Sequence, residues 1–320
     1  MAPAFMIHLH NLTKQYDPPS GKAGEILAAD RLTLEVADGE IFGLVGPNGA
    51  GKTTTLKMIC GLHEPTFGTV TVNGVDVERE PEEAQRHIGY LADFFSLYDD
   101  LKVWEYLDYF AHAYQMEEAA IPGRVDEVIR LMNLESKRDG LISGLSRGMK
   151  QRLGIGRAII HDPPLLVLDE PAAGLDPKAR VELKSLLKGL HARGKTIFIT
   201  SHILPDLEEI CTSIAIMEKG RLSRVGTLAE VMQEGRNVRR VRIRLAAAGF
   251  ALEQWLGARS DVSGIATEGT AVEFAIEGGD QRVAALLREL IGAGAPVCGV
   301  ELAHESLERL YSRISSGEVM

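Results

Sequence analysis

Residues 46–53 read Gly46, Pro47, Asn48, Gly49, Ala50, Gly51, Lys52, Thr53, and they fit the pattern G-x-x-x-x-G-K-[ST] at every position. Glycines at these places let successive backbone N–H groups curl around phosphate oxygens without Cβ clashes, and the start of a following helix adds roughly half a positive charge. Lys52 contributes a full charge suited to bridging β- and γ-phosphates, and the Thr53 hydroxyl suits one position on Mg²⁺. The competing reading is a Gly-rich turn that happens to contain Lys and Thr.

A second group of chemically capable residues follows residues 165–168 (LLVL), an apolar run that reads as a buried strand. It delivers Asp169 and Glu170 at its carboxyl end, where open α/β sheets place ligands. Adjacent carboxylates there make sense if Asp169 holds Mg²⁺, directly or through water, while Glu170 polarises an attacking water. Residues 196–200 (TIFIT) form another such strand, with Ser201 and His202 at its end. A lone histidine is commonly structural, but this position puts His202 beside the expected site. Ser146 reads as the N-cap of a helix. A hydroxyl beside exposed helix N–H groups also holds phosphate, and the two uses are compatible. Tyr16 ends an alternating strand, where it either stacks on a nucleobase or fills the core.

The elements that must position these groups are legible in outline. Residues 40–45 (EIFGLV) read as a strand and 53–62 as a helix, the context the loop needs. Ile7 and Leu9, and then Leu32, Leu34 and Val36, alternate with polar neighbours and predict half-buried antiparallel strands around a Pro/Gly-rich loop at 17–24. Asn73-Gly74 between alternating valines predicts a hairpin. After a short strand at 88–91 comes Ala92-Asp93-Phe94-Phe95, and then helical spacing over 102–157 (Val103, Tyr106, Leu107, Phe110; Val125, Val128, Ile129) marks an inserted lobe at about 95–162. Its last helix runs from Ser146 to about His161, stopped by Asp162-Pro163. Leu175-Asp176-Pro177 is a cap-and-proline start for a helix ending at Gly194, and Lys219-Gly220 closes a hairpin.

A capping box at 227–230 opens a helix closed by Gly235, where the domain boundary is placed. The remainder, 236–320, reads strand, helix, strand, strand, helix, strand, with a final helix at 306–314, and suggests a βαββαβ ferredoxin-like domain. Arg240, Arg242 and Arg244 share one face of its first strand and read as a solvated edge rather than a binding patch.

With 320 residues, 45% hydrophobic and 25% charged, the chain has ample core for one large and one small domain. A net charge of −10 argues against nucleic-acid or anionic-membrane binding. Cys60, Cys211 and Cys298 are far apart, form no Cys-x-x-Cys, and are each expected to be small buried apolar residues in a reducing cytoplasm. No run approaches the ~18 apolar residues that span a bilayer, and the first residues lack a basic-then-apolar signal, so the chain is expected to be soluble.

Taken together, residues 46–53, 145–151, 165–171, 174–176 and His202 resemble the ordered Walker A, signature, Walker B, D-loop and H-loop motifs of ABC-type ATPases, over about residues 5–235. The implied fold class is α/β: a P-loop NTPase of ABC type with an antiparallel β subdomain and an inserted helical lobe, plus the small α+β domain. The resemblance implies ATP contacts from Gly46, Pro47, Asn48, Gly49, Ala50, Gly51, Lys52, Thr53 and Thr54, with Tyr16 on adenine. It implies Mg²⁺ at Thr53 and Asp169, and catalysis by Glu170, His202 and Lys52. Ser146, Arg147, Gly148 and Met149 would close over the ATP of a second subunit, with Asp176 coupling the two sites.

The signature departs from the usual Leu-Ser-Gly-Gly-Gln at Arg147 and Met149. Asp93 stands where the family has a Gln that touches Mg²⁺. It offers the metal an oxygen but adds negative charge, and so supports the metal, slows hydrolysis or reports nucleotide state differently. These departures and the short C-terminal domain resemble ATP-binding subunits of ABC-2 type exporters. That implies a homodimer or heterodimer, peripheral on the cytoplasmic face through a separate transmembrane permease, which would dock on Phe94, Phe95, Tyr98 and Trp104; core packing is the alternative for Trp104. A weakly hydrolysing regulatory subunit and a non-transport ATPase switch are the rival readings.

Overall fold

The computed structural model describes residues 5–17, 26–233, 238–247 and 250–303. The chain divides into two compact units, Met1–Leu228 and Ala229–Met320.

In the first unit, alternation makes β1 (Phe5–Tyr16) and β2 (Ile26–Ala37) an antiparallel pair, with Ile7 opposite Val36 and Leu9 opposite Leu34. β3 (Ile41–Val45) is buried throughout, as a strand covered on both faces must be, and the glycine-rich loop links it to α1 (Lys52–Ile59). β4 (Phe67–Val72) and β5 (Val75–Asp76) form the expected hairpin, with Asn73 and Gly74 at φ 49° and 79°. α2 (Pro81–Arg86) precedes β6 (Ile88–Leu91).

The lobe follows as α3 (Val103–Ala113), α4 (Ile121–Leu131) and α5 (Arg147–Ile159). The three pack closely where α5 has no side chain. A Cβ at Gly156 would stand 3.1 Å from Met132 and from Val128. The Ser146 hydroxyl accepts from the Met149 N–H (3.3 Å) and caps α5, as expected. β7 (Leu165–Asp169), α6 (Pro177–His191), β8 (Thr196–Ser201), α7 (Leu204–Glu208), β9 (Ser213–Glu218) and β10 (Arg221–Thr227) complete the unit.

Two sheets result, one antiparallel in the order β2-β1-β4-β5, the other in the order β10-β9-β3-β8-β7-β6. The second is parallel except for the β9–β10 hairpin. Its core includes Phe42 and Phe198, stacked with ring centroids 5.4 Å apart. This is the expected P-loop architecture with antiparallel subdomain and inserted lobe.

α8 (Leu228–Gln233) starts at the unit boundary. The second unit then runs β11 (Val238–Leu245), α9 (Leu252–Gly257), β12 (Val262–Glu268), β13 (Ala271–Glu277), α10 (Gly279–Gly292) and β14 (Val297–Ala303). Strand order β12-β13-β11-β14, antiparallel throughout, is the ferredoxin-like arrangement, with its own core of Val241, Ile243, Phe274, Leu256 and Leu286.

Two expectations are corrected here. Arg240, Arg242 and Arg244 do not lie on an edge: β11 is interior, and they stand on its solvated face, Arg242 paired with Glu268 at 2.9 Å and Arg240 with Glu273 at 3.7 Å. Cys298 is exposed, at the register shift between β14 and β11 that pairs Arg244 with Gly299 but Leu245 with Val297; Cys60 and Cys211 are buried. The helix expected at 306–314, Gly235, and residues 18–24 of the Pro/Gly-rich loop lie outside the described residues. Among those described, no helix is long and apolar enough to cross a membrane.

His161, just beyond α5, stacks on Tyr114 (centroids 3.7 Å apart). Burial first, then the nearby Arg124 and Lys195, hold its pKa down at about 4. The unfolded chain therefore takes up a proton that the native one refuses as pH falls from 6.5 towards 4, and stability is lost across that window by roughly 3 kcal/mol. His161→Phe keeps the stacking and removes the titration. Urea denaturation of both proteins from pH 7 to 4 should show the variant gaining on wild type as pH falls; parallel curves would count against this account.

Candidate active site

The parallel strands end at one edge of their sheet, and the loops that leave them build the site. Val45 of β3 pairs with Ser201 of β8, and Asp169 of β7 with Thr200 of β8. The loops after all three strands therefore start at one level.

The first loop is shaped by what surrounds it. A Cβ at Gly46 would sit 2.3 Å from the Met217 carbonyl oxygen, and one at Gly51 would sit 2.0 Å from that of Ala28. Gly49 and Gly51 also take φ of 80° and 108°. The Ala50 N–H donates to Pro47 O (3.1 Å), and Ala50 O accepts from the Gly220 N–H (2.9 Å). Pro47, Asn48 and Gly49 face solvent, as does Thr53 on the first turn of α1; Thr54 is half-buried.

Lys52 is only 6% exposed. Its ammonium donates to Gly46 O (2.6 Å) and Pro47 O (3.3 Å) and lies 3.4 Å from Glu170 Oε1. The other Glu170 oxygen, Oε2, accepts from the His202 backbone N–H (3.2 Å) and lies 2.7 Å from His202 Nδ1, which places a proton on that nitrogen. Glu170 takes φ 47°, a left-handed conformation that costs a non-glycine residue about 1 kcal/mol or more. Such strain gathers where geometry serves chemistry.

Asp169, 1% exposed, accepts at Oδ1 from Thr200 Oγ1 (2.6 Å), and the same hydroxyl accepts from the Glu170 N–H (3.0 Å). Thr200 thus holds both carboxylate residues in place. Sequence reasoning overlooked it; the available signal was a hydroxyl two positions before His202, after the apolar Ile197, Phe198 and Ile199. Asp93, just past β6, is held above the ordinary carboxylate range by burial first, then by Asp169 and Glu170, with His202 and Arg147 opposing.

Lys52, Asp93, Asp169, Glu170 and His202 therefore share one site. Among the described residues, no hydrogen bond joins Ser146, Gly148, Met149, Asp176 or Tyr16 to residues 46–54. Ser146 and Met149 bond each other, and Asp176 caps α6 through the Ala179 N–H (2.9 Å). Gly148 packs on Ala179, where a Cβ would stand 2.9 Å away. Arg147 donates to Ala173 O (3.0 Å). Tyr16 meets the His63 ring edge-on at 6.4 Å and has the Lys14 ammonium 5.4 Å from its centroid. Of the lobe's aromatics, Phe94 is 90% and Tyr98 51% exposed. Phe95 packs on Gly154, and the Arg138 guanidinium covers Trp104 at 5.6 Å.

Because the Ala28 carbonyl is backbone that cannot swing aside and Gly51 sits at φ 108°, Gly51→Ala should destabilise the first unit by about 2–4 kcal/mol in urea and weaken nucleotide binding by calorimetry. An alanine variant with wild-type stability and affinity would show that the walls yield.

Comparison with known proteins bears on this geometry. A family profile described as ABC transporter matches residues 29–173. A Nod factor export ATP-binding protein I from Paraburkholderia xenovorans is 41% identical over 207 residues, 65% of this chain and 68% of that one. Its counterpart from Cupriavidus metallidurans is 38% identical over 216 residues, 68% and 69% of the two chains. Among solved structures, an ATP-binding subunit of an ABC transporter superposes with a TM-score of 0.62 at 33% identity, covering 72% of this chain and 92% of its own. A dimeric, post-hydrolysis ATP-binding cassette bound to ADP and Pi gives 0.62 at 28% identity, covering 70% and 99%. With that fold and these relatives, the chain belongs to the ABC transporter family, as one of its ATP-binding ATPase subunits.

Proposed function

We propose that this subunit energises export through a separate transmembrane permease of ABC-2 type, as part of a homodimer or heterodimer that closes around two ATP molecules and reopens after hydrolysis. The observation that carries the reading is the convergence of Lys52 and His202 on the Glu170 carboxylate, at ion-pair and hydrogen-bonding distance, from three separate loops. The exporter assignment is supported by relatives whose names describe Nod factor export, and the dimer by the cassette solved as a dimer.

In this reading residues 46–54 cradle the triphosphate through backbone N–H groups and the α1 N-terminus, and Tyr16 stacks on adenine. Lys52 exchanges the Gly46 and Pro47 carbonyls, and Glu170, for phosphate oxygens. Glu170, released on one side, accepts a proton from the attacking water, and His202 turns its imidazole to the γ-phosphate. The Ser146 hydroxyl and the backbone of Arg147, Gly148 and Met149 close over the partner's nucleotide, and Asp176 couples the two sites.

Mg²⁺ fits the donors available. The Thr53 hydroxyl and the Asp169 and Asp93 carboxylates are hard oxygen ligands, and a divalent cation would offset the repulsion of Asp93 by Asp169 and Glu170, which adds to burial in raising its pKa. When bound, the ion neutralises phosphate charge.

Residues 1–235 form the ATP-binding domain and 236–320 an accessory or regulatory one. The exposed Phe94 and Tyr98 would receive the permease, placing the subunit on the cytoplasmic face of the membrane. A second reading, a regulatory subunit with weak hydrolysis, is favoured by Asp93 alone; phosphate release with and without permease separates the two.

Glu170→Gln should lower turnover by ~10²–10⁴ while ATP still binds, because only the base is lost. Near-wild-type phosphate release would reassign the base. Lys52→Ala should weaken ATP binding measured by calorimetry, and an unchanged affinity would contradict the role given to its ammonium.

A further inference from the structure

Arg147 follows the serine that caps α5, yet its side chain leaves its own helix and reaches the turn after β7. Nη2 donates to Ala173 O at 3.0 Å. The guanidinium also lies against Gly174: a Cβ there would stand 2.2 Å from Nη2, 2.5 Å from Cζ and 2.6 Å from Nη1. Gly174 takes φ 66°, so the turn presents a bare Cα face to a planar cation. The same turn is bonded to the catalytic segment, since the Ala173 N–H donates to Glu170 O at 3.0 Å. A short path of contacts thus runs from the Ser146 cap through Arg147 and Ala173 to the backbone of Glu170.

We infer that Arg147 is a positioning residue, which fixes the turn carrying Glu170 to the start of the helix carrying Ser146 within one protomer. The inference rests on the proposed reading, in which Ser146 and Glu170 of one chain serve two different nucleotides. On that basis the guanidinium makes the setting of a protomer's own base depend on whether its serine has engaged the neighbour's ATP. Arg147 then links the sites as a strut. The neighbouring packing agrees, because Gly148 meets Ala179 at the start of α6, just beyond the same turn, and Arg152 Nη1 lies 3.4 Å from Glu182 on that helix.

A double-mutant cycle on the full chain tests this. Arg147→Gly should lower kcat about 10-fold with KM changed less than about twofold, and bring the Hill coefficient for ATP close to 1. Gly174→Ala should do the same, because its methyl group evicts the guanidinium, and the double variant should be no slower than the slower single. Arg147→Lys, which keeps the charge and loses the plane, should not restore the rate. Hydrogen exchange of the Ala173 and Leu175 amides should quicken in Arg147→Gly while the unfolding midpoint stays near wild type, which separates loss of the strut from misfolding. Multiplicative effects of the two changes, rescue by lysine, or a wild-type Hill coefficient in Arg147→Gly would overturn the inference while leaving the proposed function standing. A wild-type chain that neither dimerises with ATP nor hydrolyses it would overturn both.

Discussion

The register shared by β3, β7 and β8 is the constraint on which the rest depends. These strands are buried on both faces, so their alignment is set by close packing, exemplified by the stacked Phe42 and Phe198. A slip of one residue in any of them would turn side chains to the wrong face and raise or lower one loop against the others. With the register held, Lys52, Glu170 and His202 reach one another across three separate loops, although they are far apart in the chain.

Charge distribution follows from that convergence. Asp93, Asp169 and Glu170 share one side of the strand ends, and the buried ammonium of Lys52 lies beside Glu170. At about 3–4 Å, in surroundings less polar than water, such pairs interact several-fold more strongly than they would in bulk solvent. Lys52 is also satisfied by two carbonyls of its own loop, so the cation is held before any phosphate arrives. The mouth thus suits a ligand that carries both signs, phosphate oxygens for the loop and a hard cation for the carboxylates. Thr200 keeps the acidic pair in one orientation, and the left-handed Glu170 shows that this orientation is not the relaxed one.

What was legible in the sequence was whatever has a local cause. The glycine-rich loop, the Asn73-Gly74 hairpin, the Ser146 and Asp176 caps and the apolar strands each announce themselves within a few residues, because backbone sterics and capping act over that range. What escaped depends on neighbours distant in sequence. Nothing near Gly51 foretells the Ala28 carbonyl, and nothing near Gly174 foretells a guanidinium on its Cα. Whether β11 is interior or at an edge follows from strand order, which alternation does not encode; the same alternation that put Arg242 on the solvated face was correctly read, while its place in the sheet was not. Cys298 shows the limit of residue-type preference, because it sits at a register shift between two strands distant in sequence.

The rear of the phosphate loop is closed by parts of the chain distant in sequence. Its walls are the carbonyls of Ala28 and Met217, and the Gly220 N–H holds Ala50 from behind. Those partners come from the second strand and from a turn some 170 residues further along the chain. During synthesis, residues 46–53 leave the ribosome long before residues 217–220 exist, so an emerging polypeptide carries the whole motif without the shape that makes it a cradle. Such long-range closure is intrinsically late in folding. Competence to hold a nucleotide therefore marks a unit whose translation through the β9–β10 hairpin is finished, and a fragment ending before that hairpin has the letters of the motif without the Met217 and Gly220 side of its walls.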